Sequence, residues 1–303
     1  MTNPADLDRV VTFANGKGGV GKTTCATNVA GLAAAAGSRT LLVDLDPQGN
    51  AGQDLGYFWA GLGDEGEHLV NTLVAKSTLA PVLTDVRPGL DVIPGGAFLD
   101  DLEDVLAGRS RRQEQTHHVL ATALAPLATD YDLIVIDTPP TRPTLLHLAL
   151  AATRWVVIPT RSDRGSIEGL RRLASTISTS RTTNRHLDVL GACLFATGAN
   201  ATTIRRDASQ DISDVLGGAG VLFQGVIRYA EGAANAGREQ GQLIHELAET
   251  VQAAEPWWSA LRDGRRPVRQ PGSAPALAED FALLTHEILT RIADLEAHQE
   301  QTA

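Results

Sequence analysis

A chain of 303 residues is long enough for one large domain or two small ones, and at 43% hydrophobic and 20% charged it has the make-up of an ordinary globular protein. A net charge of −10 argues against a surface built throughout to wrap nucleic acid, and two cysteines far apart in sequence, Cys25 and Cys193, exclude a disulfide framework or zinc spacing. No apolar run approaches the roughly 18 residues of a membrane-crossing helix, and the opening MTNPADLDRV lacks the charged-then-apolar pattern of a signal peptide, so a reducing cytoplasm is the expected setting.

In chain order, Val10–Ala14 reads as a strand and Lys22–Ala36 as a helix ended by Gly37. Strands are next predicted at Thr40–Leu45 and Leu90–Pro94; Leu55–Gly66, rich in glycine and aromatics, takes no assignment. Helices over Leu99–Leu106 and Gln113–Leu127 lead to a strand at Leu133–Asp137, a helix at Thr144–Ala151 and a strand at Trp155–Pro159. The pattern continues with a helix at Ser166–Ser178, a strand at Val189–Phe195, a helix at Ile204–Leu216, a strand at Val221–Ile227 and a helix at Gly241–Leu261. Continuous apolar runs such as LIVID are what strands buried on both faces require. The alternation predicts an α/β fold: a doubly wound, mainly parallel sheet with helices on both faces. Residues 1–262 are read as one domain and the Pro-, Gly- and Arg-rich 263–276 as a linker. Residues 277–303 are read as a closing helix with one apolar face, packing on the same domain. Trp257 and Trp258 are assigned to the core.

The segment GKGGVGKTT, residues 16–24, satisfies the phosphate-loop pattern G-x-x-x-x-G-K-[ST] and stands between a predicted strand and a predicted helix, the context that pattern needs. Its glycines let backbone amides surround a phosphate, and the helix points its positive dipole end at the same oxygens. Lys22 is placed to neutralise β- and γ-phosphate charge, and Thr23 to put a hydroxyl on Mg2+. Two further segments, DLDPQGN and IDTPP, end strands in Asp44, Asp46 and Asp137, and ligands of open parallel sheets sit outside such strand ends. Those carboxylates can hold a cation or orient water; Asp44 and Asp46 can equally cap the following turn. One lysine suffices for a phosphate loop, yet this one carries two, Lys17 and Lys22, in a chain with three lysines and 23 arginines.

KGGVGKTT, then DLDPQGN, then IDTPP, in that order and spacing, resembles the ParA-type deviant Walker ATPases, whose relatives include MinD. The resemblance implies ATP and Mg2+ as cofactors, bound by Gly18, Gly19, Val20, Gly21, Lys22, Thr23 and Thr24, with Thr24 near the α-phosphate. It implies that Lys17 reaches across a homodimer to the partner's phosphates while Lys22 acts in cis. It also implies that Asp46 positions the hydrolytic water, that Asp137 is the Walker B aspartate, and that Thr23, Asp46 and Asp137 serve the metal. Such an ATPase is slow until a ParB-like centromere-binding partner completes the site, and its ATP-bound dimer binds DNA without sequence preference. The implied function is plasmid or chromosome partition by a nucleoid-associated cytoplasmic protein.

Residues 151–230 carry a net charge of +4 inside an acidic chain, and Arg205, Arg206 and Arg228 there are the candidates for DNA phosphates; a solvated surface is the alternative for each. Arg228 sits in a stretch that matches the family's arginine-bearing segment imperfectly. The short N-terminus leaves no expected room for a helix-turn-helix domain. A MinD-like membrane-cycling ATPase is the alternative function; it calls for a basic amphipathic tail, and RIADLEAHQEQTA is acidic, so no membrane contact is expected. An iron–sulfur electron-transfer relative is disfavoured by the cysteine positions, and a metabolic ligase by the lack of a small-molecule signature.

Overall fold

Alternation within the apolar strands builds the molecule. In the second strand Leu41 and Val43 face one core while Leu42 faces another, and in the fifth Ile134 and Ile136 oppose Val135 in the same way. Each strand thus needs cover on both sides, which helices supply. The computed structural model describes residues 7–112, 116–198, 202–216, 221–255 and 271–302, with positions 259, 262, 264 and 266 between the last two segments.

The elements run β1 (Val10–Phe13), α1 (Lys22–Ala35), β2 (Thr40–Asp44), α2 (Ala51–Asp54), α3 (Glu67–Ala75), β3 (Leu83–Arg87), β4 (Leu90–Ile93), α4 (Phe98–Arg111), α5 (Val119–Ala128), β5 (Leu133–Asp137), α6 (Pro143–Ala151), β6 (Trp155–Thr160), α7 (Arg164–Ser180), β7 (Asp188–Thr197), α8 (Thr202–Leu216), β8 (Ile227–Arg228), α9 (Glu231–Gln240), α10 (Ile244–Ala253) and α11 (Ala274–Thr302). Among the described residues the strands form one eight-stranded sheet in the order β3-β4-β2-β5-β1-β6-β7-β8, parallel except where β3 pairs antiparallel with β4. The doubly wound α/β architecture read from the sequence is the one observed. One face is covered by α1, α10 and α11, whose Phe281, Leu284 and Ile288 pack with Val29 and Ala33. The other face carries α3 to α8 over two further clusters. No helix among the described residues is long and apolar enough to cross a membrane.

Several predicted elements differ. The strand expected over Val221–Ile227 shrinks to Ile227–Arg228 and a lone bridge from Leu222 to Ala192, because the Glu287 carboxylate of α11 takes the Gln224 and Gly225 amides that a ladder would use. The helix expected over Gly241–Leu261 is α10, Ile244–Ala253, in its described part, and it is preceded by an unpredicted helix, α9, which ends at Gly241 with a left-handed φ of 61°. A Cβ on Gly241 would lie 2.4 Å from the Gly56 Cα, so this junction is also a point of backbone-to-backbone packing. The helix expected from Gln113 begins at Val119 in the described residues, and the closing helix begins at Ala274, three residues before the predicted start. Leu55–Gly66 is a run of turns exposing Phe58, Trp59 and Leu62. Trp257, Trp258 and most of the predicted linker lie outside the described residues.

Candidate functional site

Sheet register brings the site together. Phe13 pairs with Asp137, and Asp44 pairs with the same residue from the other side, so the loop after β1 opens directly beside two strand-end carboxylates. β1 lies between β5 and β6, where the chain reverses its direction of progress across the sheet, the crevice in which open α/β sheets bind ligands.

The loop, residues 14–21, is held from below. The Asn15 amide donates to the Pro159 carbonyl at 2.8 Å while its Oδ1 accepts from the Lys17 amide at 3.0 Å, and the Thr138 hydroxyl donates to the Phe13 carbonyl at 2.7 Å. Gly21 has φ 89°, and the Phe195 ring sits 2.3 Å from where a Cβ would project, so only glycine closes this turn into α1. Gly18 rests on Pro140, Gly19 takes φ 71° with open space beside it, and Val20 is fully buried as the loop's anchor.

Lys22, the first residue of α1, is 6% exposed, and its Nζ donates to the Lys17 carbonyl at 3.3 Å. Burial pushes its ammonium down from the ordinary lysine range, opposed by Asp137 and Asp46. Asp137 is completely buried and neither carboxylate oxygen has a hydrogen-bond partner. Burial drives its carboxyl up to about 7; the Thr23 hydroxyl, near but not aligned as a donor, and the Lys22 charge pull the other way. Asp44 is also fully buried: Oδ1 accepts the Asp46 amide at 2.8 Å, Oδ2 has no partner, and burial followed by the Asp137 charge pushes its carboxyl well up. Asp46 is 5% exposed and receives the Gln48 amide at 3.0 Å. Asp44 and Asp46 thus each brace the turn after β2, and each sits at the strand-end cluster. Gly95 makes room for them, since a Cβ there would lie 2.7 Å from the Asp44 carbonyl and 2.8 Å from that of Asp46.

The Asp137 carboxylate without donors, an unpartnered Asp44 oxygen and a buried ammonium beside the glycine loop make a cradle short of cations on one side and open to anions on the other. That donor set suits a phosphate chain with a hard divalent cation. Among the described residues no group of three or more His, Cys, Asp or Glu side chains could hold a metal by itself.

Lys17 points away from this cradle. Its Nζ binds Asp163 Oδ1 at 2.5 Å and Ser166 Oγ at 3.2 Å. Asp163 is the N-cap of α7, accepting the Ser166 amide and hydroxyl, and the Lys17 contact is the main cause holding its carboxyl at about 2. Thr24 borders a lateral cleft, where the Arg238 guanidinium donates to its hydroxyl.

The candidate DNA residues stand elsewhere. Arg228, on the edge strand β8, is locked to Asp280 of α11 by two guanidinium bonds of 2.7 Å and one from its backbone amide at 2.9 Å. Arg206 lies exposed on α8 with a loose 3.5 Å contact to Asp207. Arg205 is on the same helix, its side chain outside the described residues. Sequence reading missed Asn15, Gly95, Asp163 and Arg238. Asn15 and Asp163 had a local signal, one abutting the loop and the other standing where a helix cap is wanted.

A family model described as an AAA domain matches residues 8–189. The chain is 42% identical over 174 residues to the chromosome partitioning protein ParA of Myxococcus xanthus, the match covering 57% of this chain and 59% of that one. It is 37% identical over 189 residues to the protein of the same name from Caulobacter vibrioides, covering 61% and 68%. In three dimensions it superposes on McdA of Cyanothece, solved in complex with ATP, with a TM-score of 0.68, 21% identity, and 93% and 96% of the two chains covered. The family-model match spans the segment that carries the loop, its paired lysines and the strand-end aspartates, and the chain belongs to the ParA/Soj family of P-loop ATPases.

Proposed function

We propose that this chain is a DNA-partitioning ATPase whose ATP-bound form is a homodimer that binds DNA without sequence preference and lets go on hydrolysis. The observation that carries the reading is the division of labour between the two loop lysines: Lys22 is buried in the cradle, whereas Lys17 lies at the rim, parked on Asp163 and clear of its own phosphate site. An ammonium so placed has little to offer the nucleotide of its own subunit and is available to one facing it.

In this account the amides of Gly18 to Lys22 and the Lys22 ammonium receive the phosphates of ATP, with Thr23 and Thr24 completing the first turn. A magnesium ion, when bound, would be held by the Thr23 hydroxyl and, directly or through water, by Asp137 and Asp46, and would offset phosphate charge. Asp46 orients the attacking water. Lys17 exchanges Asp163 for the partner's triphosphate, so pairing depends on the γ-phosphate and ends with its loss. Hydrolysis is slow until a ParB-like partner supplies the last charge for the transition state. Arg205 and Arg206 contact DNA phosphates from α8, joined by Arg228 when it is released from Asp280. The ParA relatives of Myxococcus and Caulobacter support the partition role by their names. Sizing the protein with ATP, with ADP and without nucleotide, each with and without random-sequence duplex, tests it. An ATP-specific dimer that alone shifts the duplex is expected; DNA retention independent of nucleotide contradicts it.

A further inference from the structure

A second charged group lies beside the phosphate loop, outside the machinery above. From α9, Arg238 Nε donates to Asp54 Oδ1 at 2.8 Å and its Nη2 donates to Thr24 Oγ1 at 3.3 Å. Asp54 ends α2, is 6% exposed, and also accepts from the Thr27 hydroxyl of α1 at 3.1 Å. The carboxylate is thus fully engaged, while 42% of the Arg238 side chain remains open. What it opens onto is a cleft of about 230 Å³ lined by Gly21, Thr24, Asn28, Phe195, Asn235 and Gln242.

The direction of the phosphate chain follows from the loop. Lysine and the cation-binding hydroxyl mark the β- and γ-phosphate end, and in this chain Lys22, Thr23 and Asp137 set that end against the strands. The chain of phosphates then leaves past Gly21 and Thr24 into the cleft, where amide side chains and the Phe195 ring suit a nucleoside. Arg238 stands at the crossing point. We propose that Arg238 is a nucleotide-binding residue acting in cis, its guanidinium fork divided between Asp54 and the phosphate nearest the nucleoside. The Thr24 hydroxyl that it now contacts marks where a phosphate oxygen arrives. A planar fork with donors on two edges can serve carboxylate and phosphate at once in a fixed geometry. The inference rests on the loop being a nucleoside triphosphate site.

The test is titration of the full chain with ATP and with ADP, comparing wild type, Lys22→Ala, Asp54→Asn and the double variant Arg238→Ala/Asp54→Asn. The double variant leaves no buried carboxylate unpaired. It should bind ATP and ADP more weakly by the same factor, about ten- to a hundredfold, the value of one charge-assisted hydrogen bond. Asp54→Asn alone should stay within about threefold of wild type. An unchanged double variant overturns the inference, as does a loss confined to ATP, which would put Arg238 at the γ end. Equal losses in Asp54→Asn and the double variant also overturn it, because the effect would then belong to the packing network. If Lys22→Ala weakens binding and the double variant does not, this inference fails alone; if wild type binds neither nucleotide, the reading of the loop fails with it.

Discussion

Asp137 shows what the site costs a single residue. A carboxylate buried without donors is stabilised by whatever brings positive charge, and in the protein alone that is the partly desolvated Lys22. Asp137→Asn should therefore raise the thermal midpoint of the nucleotide-free protein, by roughly 1–3 kcal/mol of stability, while abolishing magnesium-dependent ATP turnover. Calorimetry and phosphate release check the two halves; a lower midpoint would mean that the carboxylate is satisfied in a way the structure does not show. Asp163 makes the opposite case. Its carboxyl, held at about 2 chiefly by Lys17, lies below the ordinary range, so its contribution to stability is full above about pH 4 and is lost as pH falls from there toward 2. Both partners are substantially exposed, which keeps the contribution below about 1 kcal/mol. The stability gap between wild type and Asp163→Asn should close on acidification from about pH 5 to about pH 2, as followed by urea unfolding; a constant gap would assign it to the helix cap alone.

At the scale of elements, the α9–α10 junction is where packing is least forgiving. Gly241→Ala must accept a positive φ and drive a methyl into the Gly56 backbone, which Arg87 also clamps through the Leu55 and Gly241 carbonyls. A loss of about 2–4 kcal/mol is expected in chemical denaturation, whereas an alanine at the unencumbered Gly232 of α9 should gain up to about 1 kcal/mol. A helix starting at this glycine was legible in the sequence, whereas α9 before it was not, its buried positions being only Ala233 and Gly237, and nothing local announces the approach of Gly56. The central strands were legible, since runs such as LIVID admit few other readings. Edge elements were not: LTDVR of β3 is half exposed and carries no pattern, and VLFQGVI has a strand's composition but loses its amides to Glu287. The loop and the strand-end aspartates of the candidate site were readable because they are local signals. Gly95, Asp54 and Arg238 reach the loop and the strand-end carboxylates through tertiary contacts alone, and the buried Cys25 and Cys193 likewise meet only in the fold. Arg228 was readable as a basic residue but not as the partner of Asp280, 52 positions away.

For the molecule as a whole, the proposed function asks for a DNA face and a pairing face. If Arg228 joins DNA binding, Asp280→Asn should free it and strengthen retention of random duplex at low salt a few-fold. Arg206→Glu should weaken retention and lower the slope of log affinity against log salt by about 1. Gel shifts across a salt series measure both, and unchanged retention in the two variants would move the DNA face elsewhere. The central claim is that Lys17 serves the nucleotide of a neighbouring copy. It is tested most directly by the solution mass with ATP and magnesium of an Asp46→Ala variant, in which turnover is removed, beside Asp46→Ala/Lys17→Ala. A dimer is expected for the first and a monomer that still binds ATP for the second; a dimer of equal strength in both would contradict the trans role of Lys17.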